Sequence, residues 1–337
     1  MRFLKTISTG LAAALVATSA MAADFTLTIA SWAPPTHGMN AKMWPGLIAK
    51  IEEATGGKVT AEIKYRLAPP PGMMDLVMDG AADMTWIFHG YQAGRFTATK
   101  LIELPGYEGS AEAASVAYWR VHKAHLEKIA EHKGVKVIGL MTHGPAQLHS
   151  AKKVGSLADV SGMKLRVPGG VGGDVGAALG ATGIKVPAPK VYETLASNAA
   201  DGVVMPMEAR KGFKLTEVAQ NVFEMPGGLY RGSFALIMNQ ETFDNLPADL
   251  QKVLDEEVFG EPLSRMAGQV WDEIDRDGRA VTEAADGNAI NAVSAADVEA
   301  FAKIAADIKT KVLADITAKG IDAGAAYEMV KKEMAAN

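Results

Sequence analysis

In the segment Gly162-Met163-Lys164-Leu165-Arg166-Val167-Pro168-Gly169, two cations alternate with two aliphatic residues before proline and glycine break the pattern. In a strand, Lys164 and Arg166 share one face, opposite Leu165 and Val167. Pro168 and Gly169 stop the strand abruptly, so Arg166 stands at its carboxyl end. A guanidinium in that position is a rigid two-pronged donor suited to a carboxylate. A surface salt bridge would leave the same trace in sequence, and the residues alone do not separate the two readings.

Other chemistry is poorly supplied. Cysteine is absent, which removes disulfides, zinc-thiolate sites, a thiol nucleophile and a lipid-modified N-terminal cysteine. The run Gly169-Gly170-Val171-Gly172-Gly173 lacks the dinucleotide spacing and is not followed by Gly-Lys-Ser/Thr, so a flexible connection close to a ligand is the reading kept. Glu273–Gly278 begins like a calcium loop, but Ala284 holds the closing acidic position, leaving a solvated helix face. His122, His125 and His132 lie among Lys123, Lys128 and Lys133, surroundings that oppose a metal and predict a solvated helix surface. There is no G-x-S-x-G elbow and no carboxylate pair spaced for acid–base work, so catalysis has no positive support.

The elements that must position Arg166 alternate along the chain. Strands are predicted at Phe25–Ala30, Val59–Tyr65, Met84–Phe88, Val135–Met141, Met163–Val167, Gly202–Met205 and Ser233–Asn239. Helices are predicted at Ala41–Ala54, around Met73–Met78, and at Glu112–His132, Asp174–Leu179 and Val191–Ser197. From Leu250 onward helix formers dominate, with breaks near Gly260-Glu261-Pro262 and Gly287-Asn288. Such alternation signals an α/β fold with a largely parallel sheet. Gly80–Trp86 is echoed by Asn198–Val204, each a helix end, a turn and a short apolar strand. Ligands of open α/β sheets sit at the carboxyl ends of strands. Phe88-His89 and Met205-Pro206 would therefore face one shared cleft between two lobes.

The chain opens with Arg2 and Lys5, an apolar run Leu11–Val16 and Ala20-Met21-Ala22. This is the form of a secretory signal peptide cleaved after Ala22, and the run is shorter than the roughly 20 residues a bilayer span needs. Lys and Arg number 34 against 39 Asp and Glu, a net charge of -5. Removing Arg2 and Lys5 leaves 32 against 39, or -7. That balance opposes nucleic acid and anionic membrane surfaces as partners, and no later stretch is apolar and charge-free for long enough to cross a membrane, so direct membrane insertion is not expected. The remaining 315 of 337 residues exceed one comfortable core, so two domains are expected.

These features resemble the solute-binding proteins of tripartite ATP-independent periplasmic (TRAP) transporters, the DctP-like family. Gly162–Pro168 matches the family's G-x-K-x-R-x-P strand. Tyr192-Glu193-x-Leu195-(x)5-Asp201-Gly202-(x)3-Pro206 and Ser233–Asn239 followed by Leu246-Pro247 fit as well. The resemblance implies a two-lobed clamshell with a ligand cleft between the lobes and long C-terminal helices spanning both. It further implies a periplasmic, non-enzymatic protein partnered by integral-membrane permease subunits, and no cofactor or metal is expected. The expected division is signal peptide 1–22, lobe I 23–149 with part of 232–337 returning to it, and lobe II 150–231 with part of the C-terminal helices. By the same resemblance Arg166 grips the ligand carboxylate. Trp32, Phe88, His89, Tyr91, Pro168, Met205 and Phe234 are expected around it, with His37, His143 and Gln147 as donors and Glu208 against a ligand hydroxyl or a metal.

Two departures bear on the ligand. Ala146 stands where family members often carry a second arginine, and Met205 where many carry a pocket asparagine. Both remove polar contacts from the expected cleft. The ligand expected is an organic monocarboxylate, aromatic in body. A C4-dicarboxylate or sugar acid is the alternative within the family, and a secreted hydrolase or lyase the alternative outside it.

Overall fold

The alternation at Phe25–Ser31 forms the first strand, with Leu27 and Ile29 buried on its inner face. The computed structural model describes residues 23–337, and the expected leader and its cleavage site lie outside the described residues. Eleven strands follow in chain order among them: β1 (Phe25–Ser31), β2 (Val59–Tyr65), β3 (Met84–Phe88), β4 (Lys136–Thr142), β5 (Gln147–Ser150), β6 (Lys164–Val167), β7 (Thr182–Lys185), β8 (Gly202–Met205), β9 (Asn221–Glu224), β10 (Ser233–Met238) and β11 (Ala289–Ala292).

They form two sheets. The first runs β2-β1-β3-β10-β4, parallel except that β10 is antiparallel to both neighbours. The second runs β11-β9-β5-β8-β6-β7, with β5 antiparallel to β8 and β9. Each sheet is the floor of one lobe, and the architecture is the two-lobed α/β clamshell expected. The expected boundary at residue 149 would cut β5, which pairs entirely within the second sheet. The crossing lies earlier, between Thr142 and Gln147.

Four connections join the lobes, the last being helix Ala295–Thr317, which leaves the second lobe after β11 and leads to helix Ala323–Ala336, packed on helix Ala111–Val121 of the first. Residues 143–146 and 225–232 cross side by side, held by His143 N to Gly232 O, Ala146 N to Tyr230 O and Leu229 N to Ala146 O. The third is the helix Glu261–Ala284, whose apolar face carries Leu263, Ala267, Trp271 and Ile274. It packs on helix Ala111–Val121 and β4 at one end and on helix Ala209–Gly212 and β11 at the other. A single rigid element thus touches both lobes.

At Gly278 this helix presses on backbone, where an added Cβ would stand 1.9 Å from Met207 O. Alanine normally stabilises a helix interior by about 1 kcal/mol over glycine. Here overpacking, typically about 1–3 kcal/mol and more against backbone, should win. Gly278→Ala is expected to lose at least about 2 kcal/mol in urea unfolding, whereas exposed Ala280→Ser stays near wild type. A Gly278→Ala variant as stable as its parent would show that the helix can shift off Met207 freely.

Several elements differ from expectation. β5, β7, β9 and β11 were not legible, being four residues long and partly polar. The glycine run is the first turn of helix Gly170–Ala178 and not a flexible connection. Gly169 (φ 96°) and Gly170 (φ 57°) adopt left-handed backbone against Gly90 O and the Glu103 carboxyl, where a side chain would hold the lobes apart. Helix Ala111–Val121 gives way to a π turn at His122–Leu126 instead of running to His132. His122 and His132 are consequently buried, not solvated.

Candidate functional site

Four strand ends of parallel segments meet at the lobe junction: β1 delivers Trp32, β3 delivers Phe88, β6 delivers Arg166 and Pro168, and β8 delivers Met205 and Pro206. His143 follows β4, and Phe234 enters from the start of antiparallel β10. With His37, Tyr91 and Glu208 these side chains line one cavity of about 30 Å³. Of the expected site residues, all but His89 and Gln147 are brought together there.

The walls are aromatic. Trp32 stacks on Trp86 at 4.1 Å, Phe88 meets Tyr91 edge-on at 4.8 Å and Phe234 at 5.1 Å, and Phe234 stacks on Trp271 at 5.5 Å. Trp32 Nε1 donates to Trp86 O, and Trp86 Nε1 to Ser31 Oγ. Trp271 Nε1 is buried without a partner, an unused donor beside the cavity.

Arg166 is the one lysine or arginine lining this cavity, and it is 1% exposed. Its Nε donates to Val186 O at 2.8 Å and its Nη2 to Tyr91 Oη at 3.2 Å. Tyr91 Oη also accepts from Ala188 N at 2.8 Å, so one first-lobe hydroxyl ties two points of the second. Among the described residues no carboxylate lies within ion-pair distance of Arg166. A guanidinium taken out of water with only neutral acceptors bears a desolvation penalty that an anion would relieve. The site can bind and orient a carboxylate. Among the described residues no cluster of three or more His, Asp or Glu could hold a metal ion.

Two polar groups complete it. His143 Nδ1 lies 2.6 Å from Gly144 O and Nε2 accepts from Gly232 N at 3.0 Å, the pattern of a neutral ring; burial first, then Arg231 and Arg166, holds its pKa down at about 3. His37 Nε2 faces Glu208 Oε2 at 3.2 Å across the lobe junction, both nearly inaccessible.

His89 belongs elsewhere. Successive residues of an extended chain face opposite ways, so Phe88 enters the cavity while His89 turns behind β3. There its Nδ1 meets Ser233 Oγ at 2.9 Å and its Nε2 meets His132 Nε2 at 2.8 Å. Gln147 is likewise occupied, accepting from Met225 N at 2.8 Å and donating to Met225 O at 3.1 Å, on the far side of the hinge. Sequence reasoning missed Phe213, Tyr230, Ala188 and Trp271, which also line the cavity. The lobe-spanning helix was expected, and a tryptophan on its apolar face was the available signal for Trp271.

Comparisons with known proteins converge on this architecture. A TRAP periplasmic solute-binding protein from Bordetella bronchiseptica, solved with (R)-mandelate and (S)-mandelate, is 36% identical, with 92% of this chain and 98% of that one covered at a TM-score of 0.89. One from Rhodoferax ferrireducens, in complex with copurified benzoate, is 28% identical over 92% and 97% at 0.85. A marine-metagenome TRAP protein specific for aromatic acid ligands, with metahydroxyphenylacetate, is 29% identical over 92% and 98% at 0.85. Residues 32–315 match the family described as bacterial extracellular solute-binding protein, family 7. With that match covering most of the chain, the protein belongs to the DctP family, the solute-binding proteins of TRAP transporters.

Proposed function

We propose that this chain captures an aromatic monocarboxylate by closing its lobes over the ligand, with the anion on Arg166, and delivers it to TRAP permease subunits after export to the periplasm. The observation that carries the reading is a buried arginine without a carboxylate partner at one end of an aromatic-walled cavity. One cation suits one carboxylate. A second one would be buried beside Met205 and the rings with no positive partner, at a cost of several kcal/mol. A ring instead removes apolar surface from water at about 25 cal/mol per Å², so each 100 Å² contributes roughly 2.5 kcal/mol. The mandelate, benzoate and metahydroxyphenylacetate carried by three relatives support the same ligand class.

Calorimetric titration under identical salt is the test. Benzoate or mandelate is expected to bind at least about 100-fold more tightly than succinate or malate, close to 2.7 kcal/mol. Succinate binding more tightly than every aromatic acid tried would overturn the ligand class while leaving the family intact.

A further inference from the structure

Among the described residues Arg166 is the only permanently charged cation and Glu208 the only acid on the cavity wall, and they do not touch. Aromatic contacts separate them: Arg166 reaches Tyr91, Tyr91 packs on Trp32 at 6.3 Å, Trp32 on Trp86, and Trp86 on His37 at 5.7 Å, which meets Glu208. The cation and the carboxyl of the cavity wall are therefore set apart by rings.

Glu208 is 3% exposed and firmly held. Its backbone N donates to Asp275 Oδ1 at 2.8 Å on the lobe-spanning helix, and Gly212 leaves room for its carboxyl, since a Cβ there would stand 2.5 Å from Oε2. Met39 N donates to His37 Nδ1 at 3.2 Å, so the neutral ring carries its proton on Nε2, the nitrogen facing Glu208 Oε2. Among the described residues no side-chain or backbone group donates to Glu208 Oε1. A carboxyl on a residue that lines the cavity is an acceptor, and acceptors select donors.

We propose that Glu208, oriented by His37, is a second ligand subsite that accepts a hydrogen bond from a hydroxyl on the ligand's aromatic body, making the preferred ligand a hydroxylated aryl carboxylic acid. This rests on the aromatic-monocarboxylate reading above and narrows it. A hydroxyl completes the acceptor's valence. A methoxy group of nearly the same placement brings a second acceptor against the carboxyl and should be rejected, because an unmade buried hydrogen bond costs more than a made one contributes.

The test is calorimetry with benzoate and its 3- and 4-hydroxy and 3- and 4-methoxy derivatives, on the wild type and on Glu208→Gln. In the wild type one hydroxybenzoate is expected to bind at least tenfold more tightly than benzoate, and the matching methoxy acid more weakly than benzoate. Glu208→Gln turns its carbonyl to His37 and offers an amide N–H to the ligand. The hydroxy-to-benzoate ratio should then fall below threefold and the methoxy acid should gain relative to the hydroxy acid. Benzoate and both hydroxybenzoates binding alike to the wild type overturns the subsite alone. A Glu208→Gln variant that weakens every acid by the same factor overturns it too, leaving His37–Glu208 as a contact that only holds the lobes together. Failure of all the aromatic acids to bind would overturn the parent reading, and this one with it.

Discussion

Arg166→Ala is expected to abolish measurable ligand binding while the fold survives. A charge-assisted hydrogen bond contributes roughly 1.5–3 kcal/mol, and a two-pronged pair in a closed cavity should reach the upper end. The variant would also leave the ligand carboxylate buried against rings, adding its desolvation cost. Arg166→Lys should weaken binding strongly as well, since an ammonium cannot reproduce the fork. In the alanine variant Val186 O loses its donor, but Tyr91 Oη keeps Ala188 N, so lobe contact persists. The variant also loses a buried cation that lacks a counter-charge, which offsets part of the packing loss. The same physics links ligand to closure. Closing the empty protein buries Arg166 without an anion, and closing on a carboxylate does not, so the ligand favours the closed state by its differential affinity. Calorimetry placing the alanine variant within about threefold of wild type, under about 0.7 kcal/mol, would remove Arg166 from the site; thermal melting of the ligand-free proteins checks that the fold is kept.

How far such a site can be read from sequence depends on which physical rule places each residue. Arg166, Phe88 and Met205 end strands whose alternation or apolar run is plain, and the carboxyl-end rule locates them. The rule fixes a place along the chain but not a face. His89 follows Phe88 directly and so turns to the opposite side of β3, toward His132. Gln147 was assigned by nearness to a strand end, but it begins β5, and its amide is consumed by the backbone of Met225. His122 and His132 sit among lysines and look solvated, yet the helix carrying them stops at Val121 and the chain folds back over both. Tyr230 and Phe213 come from the hinge and a short helix end, with no periodicity that points at a cavity. They reach it only through tertiary packing.

Between pH 7 and pH 5 the protein is expected to lose stability steeply, with its maximum near neutrality. Burial is the first cause in every case. It holds His89, His143 and His149 down at about 3, His122 at about 4 and His132 well below the ordinary value of 6.5. These imidazoles stay neutral when folded and take up protons when unfolded, so their contribution is complete above pH 6.5 and is lost as pH falls toward 4. Two carboxyls work in the opposite sense. Burial raises Glu103 to about 7 despite hydrogen bonds from Ser233 and Val171 N, and raises Asp275 to about 8 with Glu208 and Asp272 adding to it. Their folded state holds protons that the unfolded chain releases, so they favour folding below their unfolded values of 4.5 and 3.8 and lose that contribution as pH rises through 7 and 8. Five bases outnumber two acids. Around pH 5.5 unfolding therefore takes up about three protons net, a slope of at most about 4 kcal/mol per pH unit. Near pH 7 the two sets balance, and above it the buried carboxyls set a gentle decline. Integrated from pH 7 to pH 5 the loss comes to about 5 kcal/mol, a large share of the about 5–15 kcal/mol of an ordinary domain. Urea midpoints measured at pH 8, 7, 6 and 5 with an unchanged slope in denaturant are the check. A midpoint that stays flat from pH 7 to pH 5 would mean that these histidines are not buried neutral, and with them would fall the packing of His89 and His132 behind β3.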